Sequence, residues 1–247
     1  MNLEDVNEQY HSKSKIHKRI ITSKNFTYRI LISIIDRYIW SGEKIVDFGS
    51  GVGTLDFYLA ARGNKVTGVD FSEIAINMAK LNSRALGVEK NVRYFRRDLP
   101  VSKISGKYDS VLMTEVIEHL PDEKIVLKGV NKVLKKGGIL IISTRSSNAP
   151  LNKIGLTKSH DRNVGHLHRY TLPRLEKFVI KAGFCVIEKG ETEGFIRDFL
   201  FSFPKIGSQV VRIANRFENF SDFLTLIDSI FLEIFGEAQI YLVAKKC

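Results

Sequence analysis

Residues 46–54 read VDFGSGVGT, and this stretch decides the fold. It closes a short apolar run, KIVDF (44–48), and opens a segment with helical character over about 54–62. Glycines at 49, 51 and 53 let the main chain turn tightly and approach a ligand closely. The free N–H groups of the helix that follows point into the same space. The spacing is GxGxG, not the GxGxxG of a dinucleotide fingerprint, and the strand ends in an acid, Asp47. An acid there repels a pyrophosphate and suits a ligand with a positive centre. Working outward, a second strand, KVTGV (65–69), ends at Asp70, placed to hold two ribose hydroxyls. A third, VRYFR (92–96), is followed by Asp98, placed to accept from an adenine amino group.

The alternation continues. YDSVLM (108–113) and ILIIST (139–144) are further β-branched runs, with helical segments near 72–86 and 121–135 between them. Short apolar strands alternating with helices predict an α/β fold with a parallel sheet covered on both faces. Right-handed crossovers make it doubly wound. A helix is predicted over 26–39, another over 171–184 closing on Gly183, a sixth strand at FCVIEK, and a last strand at QIYLVAK (239–245). Thr171 and Pro173 read as an N-cap followed by an early proline. Trp40 and Cys185 are expected to pack.

The chain has 247 residues, 44% hydrophobic and 26% charged, which suits one domain with additions. Cys185 and Cys247 form neither a disulfide framework nor a metal spacing, so reduced thiols are expected. No apolar run of about 18 residues predicts a membrane span, and residues 1–15 carry no apolar signal core. The net charge of +11 favours anionic partners. Residues 1–24 form a basic segment; 25–247 form the main domain. Residues 195–236 hold nine of the sixteen phenylalanines, interleaved with charge. They predict two or three amphipathic helices: a cap over an acceptor pocket, a homodimer face, or an element lying on a membrane surface.

Glu115, Glu118 and His119, in YDSVLMTEVIEHL (108–120), stand at i, i+3 and i+4, the spacing of one helical face. Two carboxylates and an imidazole can hold Mg²⁺ at the carboxyl end of the sheet, where it would activate an oxygen nucleophile. His119 and His166 are the candidate catalytic residues, histidine being a general base near neutral pH.

Residues 44–144, through the glycine motif, Asp70 and LKKGGILIIST (134–144), resemble a class I S-adenosylmethionine-dependent methyltransferase. The resemblance implies a seven-stranded sheet of order 3-2-1-4-5-7-6 with QIYLVAK as the antiparallel seventh strand. It implies a glycine loop facing the methionine part of the cofactor, and an N-terminal segment whose Tyr10 and His11 fold over that cofactor as a lid. Asp47, Gly49, Ser50, Gly51 and Gly53 would then bind the cofactor, as would Asp70 with Phe71, and Asp98 with Leu99. EVIEHL is similar to the motif of the ubiquinone-pathway polyprenyl-dihydroxybenzoate O-methyltransferases, which implies metal ligation by Glu115, Glu118 and His119. Arg29, 20 residues before Gly49, matches a cofactor-contacting arginine of that group, and Thr114 occupies another contact position with a different residue type. Small-RNA 3′-terminal 2′-O-methyltransferases also look like this, with a later histidine completing the site, here His166 or His168. The expected activity is O-methylation of a small or lipid-like hydroxyl acceptor in the cytoplasm, with peripheral attachment at the inner face of a membrane as one option. An RNA 2′-O-methyltransferase and a non-catalytic cofactor-binding subunit are the alternatives. Without a metal, the acceptor atom is open among N, O and C.

Overall fold

The computed structural model describes residues 17–97 and 106–247. Tyr10, His11, Asp98 and Leu99 lie outside them. In chain order the elements are α1 (Arg29–Tyr38), β1 (Lys44–Phe48), α2 (Thr54–Ala61), β2 (Lys65–Asp70), α3 (Glu73–Ala85), β3 (Val92–Arg96) and β4 (Tyr108–Thr114). There follow a 3₁₀ turn (Ile117–His119), α4 (Glu123–Val133), β5 (Leu134–Arg145), α5 (Pro150–Lys153), α6 (Lys158–Val164), α7 (Leu172–Lys181) and β6 (Phe184–Thr192). Three helices, α8 (Phe195–Ser202), α9 (Pro204–Ala214) and α10 (Glu218–Phe235), precede β7 (Gln239–Lys246).

The seven strands form one sheet of order 3-2-1-4-5-7-6. β1 pairs in parallel with β2 and β4, and β7 runs antiparallel between β5 and β6. Successive residues of a strand face opposite sides, and the core follows that rule. Val46 and Phe48 pack with Val126, Val130, Leu175 and Val179 under α4 and α7. Ile45 packs with Ile32, Ile35, Leu59 and Ile76 under α1, α2 and α3. Each such side chain taken fully from water contributes about 1.5–3 kcal/mol. Local signals set the helix ends: Ser72 Oγ accepts from Ala75 N at 3.0 Å, and Asp122 Oδ1 accepts from Lys124 N and Ile125 N at 3.0 and 3.1 Å.

Several expectations are corrected. Trp40 does not pack; it is 71% exposed in the turn after α1, with its backbone N–H held by Glu43. Cys185 is exposed on β6, not packed, and is bonded to Cys247, because the antiparallel β6–β7 ladder brings the C-terminus beside the start of β6. β5 begins at Leu134, well before the predicted run, and α4 is correspondingly shorter.

Residues 195–236 fold as three helices. A buried arginine ties them to the domain. Arg197 is fully buried, its guanidinium lies 3.9 Å from the centroid of the Phe26 ring, and it donates to the Phe26 carbonyl. Its Nε stands 3.1 Å from Asp228 Oδ2, and Asp228 also accepts the backbone N–H groups of Gly194 and Arg197 at 3.0 Å each.

Candidate active site

The glycine loop is held from below by β2. Gly49 N and Ser50 N donate to the Val69 carbonyl at 2.7 and 3.1 Å. Gly51 N donates to Asp70 Oδ2 at 2.8 Å and Ser72 N to Asp70 Oδ1 at 2.9 Å. Asp70 is thus fixed at the tip of β2 by two backbone N–H groups. Gly49 sits at φ +75°, and a Cβ there would stand 2.2 Å from Val116 Cγ2. That contact brings the loop against the segment leading into the 3₁₀ turn. Asp47 is buried, and Phe71 and Thr114 are half-buried at the ends of their strands. Arg29 does not turn to the loop. Its guanidinium is taken up by α10, through Ser221 Oγ at 3.0 Å, Thr225 Oγ1 at 3.3 Å and Asp222 Oδ1 at 2.6 Å.

The second cluster forms beyond β4. Glu115, Glu118 and His119 do not share a helical face, because the helical turn covers only Ile117–His119 and Glu115 precedes it in left-handed backbone at φ 56°. Glu115 turns instead to Gln239 Nε2 at 2.6 Å and Arg145 Nε at 3.2 Å. The ligand-bearing atoms that do converge are those of Glu118, His119 and His166, all within 4.8 Å of one another. His166 arrives because the backbone N–H groups of Leu167 and His168 dock on the Glu118 carbonyl at 2.8 and 3.1 Å. His168 itself is not in the group; its ring lies 6.3 Å from that of Tyr170.

The donor set fits a metal. Glu118 is fully buried, its Oε2 accepts from Thr144 Oγ1 at 2.8 Å, and its Oε1 has no partner. His119 Nδ1 lies 3.0 Å from the Gly165 carbonyl and His166 Nδ1 lies 2.9 Å from Asp161 Oδ1. An acceptor at Nδ1 leaves the Nε2 lone pair for an ion, the usual outer support of a ligating histidine. Burial and the neighbouring His166 lower His119 to about 4, which keeps it neutral as a ligand must be. Two imidazoles and one carboxylate are a softer set than the oxygen shell Mg²⁺ prefers, and suit a divalent transition ion better.

Four charged residues of this site escaped the sequence reading. Arg145 joins Glu115 and Glu193 (3.6 Å), and its guanidinium lies 5.8 Å from the Phe201 ring centroid of the helical insert. Asp161 is clamped by Arg169 at 2.7 Å as well as by His166, and these partners pull its carboxyl well below the usual range against the effect of burial. Glu193, like Glu115, holds left-handed backbone without being glycine, and such strain gathers at functional sites. The HDRN text at 160–163 was a visible hint for Asp161; nothing in the sequence marked Arg145 or Glu193.

Residues 24–189 match the model of a methyltransferase domain. The chain belongs to that methyltransferase-domain family. It is 32% identical over 108 residues to the ubiquinone biosynthesis O-methyltransferase of Pseudomonas aeruginosa (strain LESB58), covering 44% of this chain and 47% of that one. The chain therefore spans about half the length of the curated relatives it matches. Among solved structures it is similar to magnesium protoporphyrin IX methyltransferase from Synechocystis with bound SAH (TM-score 0.62, 17% identity, 98% of this chain and 94% of that one). It is also similar to the [4+2]-cyclase SpnF (TM-score 0.65, 18% identity, 88% and 80%). These likenesses establish the fold, and one fold hosts more than one chemistry.

Proposed function

We propose that this methyltransferase-family chain transfers the methyl group of S-adenosylmethionine to a hydroxyl of a small or lipid-like acceptor, with a divalent ion at Glu118, His119 and His166. The observation that carries the reading is the convergence of those three ligands on a turn packed against the glycine loop through Val116. S-adenosylmethionine supplies a methyl group on a cationic sulfur, and the ion would lower the pKa of an acceptor hydroxyl. The protein supplies proximity and alignment. The 49–53 loop and Asp70 hold the cofactor. Glu118, His119 and His166 would hold the ion, while Gly165 and Asp161 fix the imidazole rings. Arg145, Glu115 and Gln239 form a polar wall on the acceptor side, and the insert brings Phe201 against it.

The lipid-like character of the acceptor is supported by α9. That helix contains no acid, exposes Ile206 (60%) and Ile213 (50%), and carries Lys205 and Arg212 beside them; Arg216 and exposed Phe217 follow directly. A basic amphipathic surface suits an anionic bilayer. Among the described residues no helix is long and apolar enough to cross a membrane.

The test is turnover of labelled S-adenosylmethionine on a panel of catechols and dihydroxybenzoates, with chelation and Mn²⁺ or Mg²⁺ replacement. Methylated oxygen in the product, activity lost to chelator and restored most strongly by Mn²⁺ support the reading. Equal rates in chelated and metal-loaded enzyme remove the ion. A product methylated on ribose of an RNA replaces the acceptor class.

A further inference from the structure

Among the described residues, a buried acid with no counter-charge lies beneath the glycine loop. Asp47 on β1, Gly68 on β2 and Tyr94 on β3 occupy one row across three parallel strands, Asp47 opposite Gly68 and Gly68 opposite Tyr94. Residues in such a row face the same side of the sheet. Gly68 has no side chain, and the gap it leaves is filled from α2. A Cβ on Gly68 would stand 2.7 Å from Asp56 Oδ2 and 2.5 Å from the Tyr94 ring. A Cβ on Gly53, the last glycine of the loop, would stand 2.5 Å from Tyr94 Oη. Two carboxyls and a phenol are therefore gathered directly under the loop.

None of them is neutralised. Asp56 is fully buried, and both its oxygens, Asp47 Oδ1 and Tyr94 Oη lack a hydrogen-bond partner of good geometry. The groups that act on the pair are Asp47 from β1, Asp70 from β2 and Tyr94 from β3; among the described residues no lysine, arginine or histidine does so. His17 meets α2 with its ring 5.7 Å from Phe57, and burial lowers its pKa, disfavouring the charged form. Two ionised carboxylates with no cation cannot both persist at such a depth. Burial first, then the facing carboxyl groups, push Asp47 well above the usual range, and burial pushes Asp56 to about 7.

We propose that Asp56 is a positioning residue for cofactor charge: with Asp47 it forms a proton-sharing carboxyl pair that releases a proton to solvent when the sulfonium of S-adenosylmethionine binds above it, and takes one back when the neutral thioether product remains. The inference rests on the cofactor reading given under Proposed function. The α-amino and carboxyl groups are common to both ligands, so they differ only in the S-methyl group and the positive charge it places on sulfur, and of these only the charge is coupled to proton uptake or release. The pair makes the site favour cofactor over product, more strongly as pH rises. Its effect reaches the ligand through the low-dielectric interior, with no direct contact required.

The experiment is calorimetric titration of wild-type protein with S-adenosylmethionine and with S-adenosylhomocysteine from pH 6 to 8, in buffers of different ionisation heat. The expected result is proton release with the sulfonium ligand and little with the thioether. The ratio of the two dissociation constants then grows about tenfold in favour of the sulfonium across that range. In Asp56→Asn the ratio stays flat. The wild-type proton count needs no variant, so it stands even if that substitution impairs folding. Binding of both ligands with equal proton counts, or a pH-dependent ratio that survives in Asp56→Asn, overturns the proposal while leaving the cofactor reading intact. Absence of binding by either ligand overturns both.

Discussion

The two halves of the site are built on different principles. On the β1–β3 side the ligand-facing groups are backbone amides and strand-tip acids, supplied by short contiguous stretches of chain. Gly51 N on Asp70 is a contact between neighbouring βα units. On the β4–β7 side the groups come from distant segments and are held by buried charge. Arg145 gathers Glu115 and Glu193, and His166 reaches Glu118 across a long loop. Backbone cradles need little from side chains, whereas a charge cluster fails when one member is removed.

That difference is open to breaking. The largest effect is expected where the insert is pinned. Arg197→Met leaves Asp228 buried without its cation and should lower stability by about 3–5 kcal/mol, read by urea unfolding. An equal midpoint would show that the insert is not anchored through this pair. Next is catalysis on the acceptor side: Glu118→Gln should cut turnover by about 10–100-fold while the dissociation constant for S-adenosylhomocysteine stays the same. A parallel loss of cofactor affinity would mean that the two halves are not separable. On the cofactor side, Gly49→Ala drives a methyl into Val116 at a positive φ and should cost about 1–3 kcal/mol, with partial rescue by Val116→Ala. No rescue would deny the contact between loop and turn.

The same division explains what the sequence disclosed. The strands, the glycine loop and Asp70 were readable because each depends on local text: apolar runs, turn residues and an acid at a strand tip; the strand order came only through the family resemblance. Glu118, His119 and His166 were also named, the last as one of two histidines that would complete the site; what EVIEHL as an α-helix got wrong was Glu115, which leaves the group for another partner. The left-handed turn at Glu115 needs Arg145 and Gln239 to hold it, and neither is near in sequence. Arg29 faces Ser221, Thr225 and Asp222 of α10, contacts that no local text foretold. The Asp47–Gly68–Tyr94 row was invisible for a similar reason: it exists only once strand register is fixed.

Smaller effects sharpen the comparison. Asp56 has a folded-state pKa near 7, above its ordinary value, so the folded chain holds a proton that the unfolded chain has lost. Stability then falls as pH rises from about 4 toward 7. Asp56→Asn should therefore stabilise the protein at pH 8 and change it little at pH 4, measured by thermal unfolding at both; the opposite order would contradict the burial assigned to this carboxyl. Smallest is Lys24–Glu218 at 2.6 Å, where both side chains are about half exposed. Glu218→Gln should alter stability by under about 1 kcal/mol.

The measurement that bears most directly on the account is calorimetric titration of the wild type and Asp70→Ala with S-adenosylhomocysteine. One saturable site in the wild type, lost in the variant at an unchanged unfolding midpoint, is the predicted result. Heat absent from the wild type, or undiminished in the variant, would contradict the claim that the tips of β1 and β2 form the cofactor cradle.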